Sequence, residues 1–359
     1  MNIEKKESAR KVSVATKRAA NYNKDPGWFC EFRYSPVNGL GYEEGVNRRD
    51  PSSVIKVGDI FYVWYTRSVG SHFGFGTGDP DTKVWPWDKS DVWYATSTDG
   101  INWTEQGMAV GRGQKGEFDD RSVFTPDVLA HDGKYYLVYQ TVQAPYLRRT
   151  KNTIGISIAG SPDGPWRKVK HPILKASDTG EWLGDEDNRF LVKSKGDFDS
   201  HKVHDPSLFY YRGQYWLYYK GEPMGEEMFF GGRETKWGVT ISDKPEGPYM
   251  RSELNPITNS GHETLLWHYK DGIAALLTTD GPEKNTIQYA PDGLNFEIMS
   301  VIKKPPQAGG PFRTDNPDKS PLEGLRWGLC HVIGSWGFIQ RFEVNERQKN
   351  LYLAKKSVV

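Results

Sequence analysis

The sequence lacks the features that mark several common protein classes. Its 359 residues include only two cysteines, Cys30 and Cys330, which follow no metal-ligand spacing, so we expect buried free thiols. No apolar stretch is long enough to cross a membrane. The 47 basic and 46 acidic residues give a net charge of +1, without a basic tract that would attract nucleic acid. We therefore expect a soluble protein with no nucleic-acid or membrane partner.

Several catalytic and targeting motifs are also missing. There is no Gly-rich phosphate loop, nucleophile elbow or paired-Cys motif. The N-terminus is charged and has no apolar core of a secretory signal, and the sequence as it stands leaves the compartment, cytoplasmic or periplasmic, unassigned. His201 and His204 are three residues apart, a spacing that would put them on opposite faces of a strand and disfavour a shared metal.

Aromatic residues, in contrast, are abundant. They make up 13% of the chain, with 13 Trp and 19 Tyr. These side chains favour β-sheets, and flat rings also cover the flat faces of sugars. Most of them we expect to be structural, but the excess fits an all-β protein that acts on carbohydrate.

A repeated pattern of hairpins predicts the architecture. Each unit has a polar lead, an apolar strand, a Gly-containing turn and a second strand rich in aromatics. A second turn with Asp-Gly or Pro-Glu-Gly follows and would join two outer strands. Inner and outer hairpins together form a four-stranded propeller blade. Five units therefore predict a five-bladed β-propeller over residues 26–359, with inner hairpins at 49–65, 125–139, 204–219, 262–277 and, more weakly, 326–339.

Residues 1–25 differ from this pattern. Ser8 to Tyr22 contains good helix formers and no strand pattern, which predicts a short helical segment. A solitary short helix is marginally stable in water. We therefore expect it to pack on its own propeller or on a second chain.

Acidic residues and a histidine lie at the starts of the predicted inner strands. They are Asp50, Asp127, Asp205 and the pair His262 and Glu263. Because inner strands begin near the central channel, these side chains should converge in space. Such a set suits general acid/base hydrolysis or a hard cation. Each Asp-Pro or Pro-Asp pair alone is also an ordinary turn dipeptide, so it is the repetition that indicates a site.

Further candidates follow the inner strands. Arg67, Gln140 and Lys220 come directly after inner strands, and Trp87 lies in the loop after one. Together with Asp127, we expect them to contact a sugar. Each of them could equally serve the structure of its blade.

Three of the leading motifs, with their order and spacing, resemble those of glycoside hydrolase family 117. They are Arg49-Asp50-Pro51-Ser52, His204-Asp205-Pro206-Ser207 and Gly261-His262-Glu263-Thr264. The run Ser13 to Arg18 is similar to the family's Ser-x-Ala-x-x-Arg element. Members of that family are exo-acting α-1,3-3,6-anhydro-L-galactosidases, also called neoagarobiose hydrolases. The resemblance extends from about Ser13 to the end of the predicted propeller.

The resemblance implies an inverting mechanism and a role for each site residue. Asp50 would be the general base and His262 the general acid, while Asp205 and Glu263 would hold the sugar and tune the histidine. Glu263 stays a competing candidate for the acid. No cofactor would be required, although the family can hold a divalent cation near the site. The N-terminal helical segment would be swapped between two subunits of a homodimer.

The leading hypothesis is release of 3,6-anhydro-L-galactose from the non-reducing end of neoagarobiose and neoagaro-oligosaccharides during agar degradation. One alternative is a related α-galactosidase or arabinan-type hydrolase on another galactan. A second alternative is a sugar-binding propeller without turnover. The acid/base set at the channel favours an enzyme over mere binding.

Overall fold

The computed structural model describes residues 25–227 and 233–345, and this part of the chain is almost entirely β-structure. Five antiparallel sheets of four or five strands follow one another along the chain. We number them blades I to V. This arrangement confirms the predicted all-β, five-bladed propeller. The predicted helix at Ser8 to Tyr22 lies outside the described residues, where it stays a prediction. The described helices are three single 3-10 turns: Pro26–Trp28, Pro317–Lys319 and Glu323–Leu325.

The first strand of the chain and blade I come next to each other in sequence but lie in different sheets. Strand β1 (Phe32–Pro36) joins blade V. Blade I has the order β2-β4-β5-β6, and β3 extends its inner edge by pairing with β4. Its strands are β2 (Val46–Arg49), β3 (Ile55–Val57), β4 (Ile60–Val69), β5 (Asp91–Ser97) and β6 (Thr104–Val110).

Blade II repeats this plan, and a small separate hairpin follows it. The blade consists of β7 (Ser122–His131), β8 (Lys134–Val142), β9 (Thr153–Ala159), β10 (Arg167–Lys168) and β11 (Leu174–Lys175). Strands β10 and β11 both pair with β9. The hairpin consists of β12 (Glu181–Trp182) and β13 (Val192–Ser194).

Blades III and IV are regular four-stranded sheets whose sequence order equals their spatial order. Blade III consists of β14 (Lys202–Tyr211), β15 (Gln214–Glu222), β16 (Lys236–Ser242) and β17 (Met250–Arg251). Blade IV consists of β18 (Glu263–Tyr269), β19 (Gly272–Thr278), β20 (Thr286–Ala290) and β21 (Glu297–Val301). In blades I to IV the predicted Asp-Gly and Pro-Glu-Gly turns join the third and fourth strands, as expected.

Blade V differs from the prediction. Its inner strand is β22 (Gly310–Pro311), followed by β23 (Trp327–Val332) and β24 (Phe338–Val344), and β1 is its outermost strand. The hairpin predicted at 326–339 is therefore the second and third strand of the blade, not the inner pair. The inner strand was missed because its two residues have no apolar pattern.

The ring closes where blade V meets blade I. The Val54 N–H donates to the Pro311 carbonyl at 3.0 Å, and Val54 bridges Phe312 in parallel. The approach is so close that a Cβ on Gly310 would lie 1.7 Å from the Ser52 carbonyl oxygen. Only glycine fits there.

The core lies between the blades, where apolar faces of neighbouring sheets pack together. Trp64, Tyr65 and Tyr139 are fully buried in these layers. Burial of such rings is the main source of stability in a sheet-on-sheet interface. Within the described ranges, no helix has the length and apolar character that a bilayer crossing requires.

Candidate active site

The inner strands of blades I, II and III share an unusual backbone feature. Asp50, Thr125 and Asp205 have left-handed backbones, with φ of 49°, 47° and 49°. A proline follows each of them. In blades II and III the pairing register with the next strand also shifts at this point. A left-handed residue with a side chain is unfavourable, and a bulge changes the direction of a side chain. The left-handed residue therefore interrupts the regular alternation of side chains where each inner strand reaches the central channel.

Thr125, and not Asp127, is therefore the blade II equivalent of the two aspartates. This corrects the grouping made from sequence. Asp127 lies two residues further along, and its carboxylate accepts hydrogen bonds from the Ser53 N–H at 3.0 Å and the Ser207 hydroxyl at 2.7 Å. Its other strong partner is Arg313, at 2.7 Å. Asp127 thus joins blade II to its neighbours, and its predicted role in sugar binding stays a prediction.

A cavity of about 60 Å³ lies where the inner strands of all five blades meet. Asp50, Asp205 and Glu263 all line it, as does Asp127. His262 immediately precedes Glu263, and about a quarter (27%) of its side chain is exposed. The cavity therefore brings Asp50, Asp205 and Glu263 together from more than 200 residues of sequence, and His262 lies close enough for its charge to act on Asp205.

Asp50 is held in its charged form. Its carboxylate lies 3.6 Å from the Arg49 guanidinium, 3.0 Å from His331 Nδ1 and 3.2 Å from the Thr66 hydroxyl. Burial alone would favour the neutral acid, but the Arg49 charge and the hydrogen bonds outweigh it and hold the pKa of Asp50 well below its usual range. Asp50 is therefore an ionised, buried acceptor at neutral pH, as a general base must be.

Asp205 has the same backbone but a different environment. Its carboxylate forms an ion pair with Lys220, whose side chain is almost fully buried. Burial raises the pKa of Asp205, and the charge of Lys220 opposes that rise while Glu263 adds to it. The Lys220 ammonium is engaged with Asp205, and its predicted role as a sugar contact stays a prediction.

His262 has a carboxylate partner that the sequence did not reveal. Its Nδ1 lies 2.5 Å from Asp280 Oδ2. Burial favours neutral Asp280, but the hydrogen bond and charge of His262 outweigh it and lower the pKa of Asp280. A carboxylate at Nδ1 fixes the orientation and the tautomer of the imidazole ring. The geometry suits a proton donor acting through Nε2.

Glu263 lies near a different group of side chains from those around His262. One carboxylate oxygen of Glu263, one of Asp50 and a ring nitrogen of His331 all lie within 4.8 Å of one another. The Nε2 of His331 is buried and has no hydrogen-bond partner among the described residues. Two carboxylates and an imidazole with an unused nitrogen are a fitting donor set for a divalent cation.

The remaining predicted sugar contacts lie in different settings. Arg67 is 3.5 Å from Glu105 and stacks on Trp93 at 4.1 Å, so its guanidinium is engaged inside blade I. Gln140 is buried in blade II, and its side chain has no recorded hydrogen bond within the described part of the chain. Neither residue lines the cavity described above.

Trp87 lies near the predicted catalytic set through its contact with Arg49. The Arg49 guanidinium lies 5.2 Å from the centre of the Trp87 ring. The ring of Trp87 also stacks on Trp85, with centroids 5.5 Å apart. A pair of stacked indoles beside Arg49 and the buried Asp50 could present an aromatic face to a sugar.

Behind Asp205 lies a buried ionic cluster around Glu222. His201 Nδ1 and the Lys202 ammonium lie 3.2 and 3.0 Å from its carboxylate, and His204 Nε2 lies 4.0 Å away. The expectation that the two histidines face opposite sides is therefore wrong, because His201 precedes β14 and strand alternation does not apply to it. Burial lowers the pKa of His201 to about 4 and that of Lys202 to about 8. The cluster supports the strand that carries Asp205.

Sequence reasoning missed Asp280, His331 and Arg49 as partners of the site. Asp280 sits in a Thr-Asp-Gly sequence that reads as an ordinary turn. His331 lies on the second strand of blade V, whose inner strand was not recognised. Arg49 directly precedes Asp50, and a cation next to a candidate base is a signal that the sequence does contain.

Comparison with known proteins places this geometry in a family context. The chain is similar to the solved structure of Zg3597, a family 117 glycoside hydrolase produced by the marine bacterium Zobellia galactanivorans. The two are 34% identical, the match covers 89% of this chain and 92% of that one, and the TM-score is 0.73. The sequence profile described as glycosyl hydrolases family 43 matches residues 46–205. None of the curated proteins compared with this chain matches it.

More distant structures share the fold alone. A thermostable family-43 glycoside hydrolase is 13% identical, with 87% of this chain and 91% of that chain covered and a TM-score of 0.54. A GH43_1 enzyme from Xanthomonas citri is also 13% identical, covers 87% and 90% of the two chains, and has a TM-score of 0.54. The blades are thus common to enzymes with little sequence in common.

Proposed function

Because the chain belongs to glycoside hydrolase family 117, we propose that it is an exo-acting, inverting enzyme that releases 3,6-anhydro-L-galactose from the non-reducing end of neoagarobiose and neoagaro-oligosaccharides. The observation that carries the proposal is the presence, at one channel mouth, of an ionised Asp50 and a His262 paired with Asp280. One group can accept a proton and the other can donate one.

In the proposed reaction, Asp50 takes a proton from a water molecule as the water oxygen bonds to the anomeric carbon. At the same time the bond from that carbon to the glycosidic oxygen breaks, and His262 gives its Nε2 proton to the departing oxygen. Asp50 ends neutral and His262 ends as neutral imidazole, so protons and charges balance. Because water attacks opposite the leaving group, the anomeric configuration inverts.

His262 is the better supported of the two acid candidates. Its ring nitrogen bonds a carboxylate, whereas Glu263 lies in the group that contains Asp50 and His331. An acid that shared its space with the base would leave little room for the inverting arrangement, in which the two groups stand roughly 6.5–9.5 Å apart. We assign Glu263 to sugar or cation binding, and Asp205 with Lys220 to holding the sugar.

A divalent cation is a further part of the proposal. Asp50, Glu263 and His331 would hold it, and it would contribute positive charge near the sugar hydroxyls and the attacking water. The test is metal analysis of the purified protein together with thermal unfolding in chelator and in added Mg²⁺ or Ca²⁺. A melting temperature that no cation changes, in a protein that contains no metal, would contradict this part.

The proposed assembly is a homodimer formed through residues 1–25, as the resemblance to family 117 implies. Deletion of residues 1–24 should convert the dimer to a monomer on size exclusion with light scattering. A control deletion at the other end, of residues 346–359, should leave the dimer intact. A truncated protein that remains a dimer would refute the exchange of this segment.

The activity is tested with neoagarobiose and the wild-type enzyme. Products are expected to be 3,6-anhydro-L-galactose and galactose, and NMR of the first-formed product should show the inverted anomer. Aryl α-galactosides and arabino-oligosaccharides are measured in parallel to detect the alternative hydrolases. If calorimetry shows tight binding of neoagarobiose but no turnover is detected, the protein binds the sugar without hydrolysing it, which would contradict the proposal.

A further inference from the structure

The turn after β19 contains three consecutive residues in the left-handed region. Thr279, Asp280 and Gly281 have φ of 47°, 53° and 87°. Glycine adopts this conformation freely, but a β-branched threonine and an aspartate do so at a cost of roughly 1 kcal/mol or more each. Thr279 is held by a hydrogen bond from its hydroxyl to the Gln307 side chain at 2.5 Å. Backbone strain of this kind persists where the surroundings enforce it, often at functional sites.

The strained turn places the Asp280 carboxylate beside His262. The Thr279 carbonyl accepts the His262 N–H at 3.2 Å, and Asp280 Oδ2 then lies 2.5 Å from His262 Nδ1. Both side chains are mostly shielded from solvent, with 27% of His262 and 13% of Asp280 exposed. His262 is thus held by hydrogen bonds at its backbone N–H and at Nδ1, and Nε2 is the ring nitrogen left for another partner.

Arg233 connects Asp280 to blade III. Its backbone N–H is directed at the Asp280 carboxylate, and its charge also favours the ionised form of that group. The Arg233 guanidinium bonds Glu226 at 3.1 Å and forms an ion pair with Glu222. Asp280 therefore lies next to a residue of the buried ionic cluster on the neighbouring blade.

We propose that Asp280 is a positioning residue, which holds the proton on Nδ1 of His262 and turns Nε2 towards the glycosidic oxygen. The inference rests on the proposed role of His262 as the general acid. When Nε2 releases its proton to the leaving oxygen, the neutral ring that remains carries its proton on Nδ1, where Asp280 already accepts it. The strained turn is what keeps this arrangement ready before the substrate arrives.

The kinetic test compares Asp280→Asn with wild type on two substrates. An Asn side chain can donate to Nδ1 and so favour the wrong tautomer. We expect kcat on neoagarobiose to fall by roughly 100-fold with KM within about threefold. On an aryl glycoside of 3,6-anhydro-L-galactose, whose leaving group needs little protonation, the loss should be below about fivefold. Equal losses on both substrates would overturn the proposal.

Two companion variants separate positioning from a structural role. Asp163, an exposed aspartate that accepts hydrogen bonds from Tyr62 and Tyr94, offers a matched control, and Asp163→Asn should leave both substrates unaffected. The double variant His262→Ala with Asp280→Asn should be no slower than His262→Ala alone, because Asp280 acts through the ring. A clearly slower double variant would show that Asp280 supports something other than His262.

A spectroscopic measurement on the unmodified protein tests the inference without relying on turnover. In histidine labelled with ¹⁵N, the Nδ1 of His262 should carry a slowly exchanging, hydrogen-bonded proton, assigned by its loss in His262→Gln. A ring protonated only at Nε2 would contradict the positioning role even in an active enzyme. A protein with the expected Nδ1 proton but no activity on neoagarobiose would instead refute the proposed function and leave the tautomer assignment standing.

Discussion

Blades I and III present the same backbone feature with opposite electrostatic results. Asp50 and Asp205 have the same φ of 49°, and each is followed by Pro and Ser. Yet the surroundings lower the pKa of Asp50 and raise that of Asp205. The left-handed residue only places a carboxylate at the channel, and the neighbouring side chains decide what that carboxylate can do.

The residue before each aspartate accounts for part of the difference. Arg49 places a permanent charge 3.6 Å from Asp50, and His331 and Thr66 add hydrogen bonds. Asp205 follows His204, whose pKa is lowered well below the usual value by burial, so this neighbour is neutral. Among the described residues, Lys220 is the one cation that forms an ion pair with Asp205. This contrast supports Asp50 as the base and Asp205 as a sugar-holding group.

Removing the proposed base should have the largest effect. Asp50→Asn keeps the size of the side chain but cannot accept the proton of water, so we expect kcat on neoagarobiose to fall by roughly 10³-fold or more. Asp127→Asn is the matched control, because Asp127 lines the same cavity but lies two residues beyond the blade II position equivalent to Asp50. It should lower stability, through the lost charge opposite Arg313, far more than kcat. Comparable kcat losses in both variants would contradict the assignment of Asp50, rather than Asp127, as the base.

The proposed sugar-holding aspartate should matter less to the chemical step. We expect Asp205→Asn to lower kcat/KM by roughly 10- to 100-fold, with much of the change in KM. The variant also leaves the buried Lys220 ammonium without its counter-charge, which should lower the free energy of unfolding by roughly 3 kcal/mol. Urea unfolding checks stability, and steady-state kinetics separates KM from kcat. A fall in kcat as large as that of Asp50→Asn would make the two aspartates equivalent.

Much of this comparison could be read from sequence, and the rest could not. Asp50, Asp205, His262 and Glu263 were found because hairpins repeat and each carries a polar lead residue. The equivalence of Thr125 was not found, because a one-residue register shift has no sequence signal stronger than the Pro126 that accompanies it. Asp127, two residues later, attracted attention simply because it is charged.

The repeat could not predict the site residues that come from strands other than the inner ones. His331 and Asp280 lie at the ends of second strands, so their contacts depend on how blades close around the channel. In blade V the apolar pattern indicated β23 and β24 but not the two-residue inner strand β22. Sequence periodicity thus gave the number of blades, whereas the ring closure that brings His331 to Asp50 is a long-range packing result.

Charge at position 49 offers a finer test of the difference between blades I and III. In Arg49→Gln, burial of Asp50 is no longer opposed by that guanidinium, so the pKa of Asp50 should rise. The base then becomes protonated at higher pH, and the acid limb of kcat/KM should move up by about one pH unit. Assays contain chelator, so that no cation contributes. Arg67→Gln, a change in the same blade at a residue paired with Glu105, is the control. An acid limb that shifts equally in both, or in neither, would contradict the role of Arg49.

The smallest effect is expected in blade II, where the same backbone carries Thr125 in place of an aspartate. Threonine is β-branched and poorly suited to a φ of 47°, whereas asparagine tolerates this region. The Thr125 N–H, which donates to the Thr66 hydroxyl at 2.8 Å, is retained in Thr125→Asn. We therefore expect this variant to be more stable by up to about 1 kcal/mol in urea unfolding. A loss of stability would mean that the threonine side chain makes contacts that outweigh its strain, and that the left-handed position in blade II is not interchangeable with those in blades I and III.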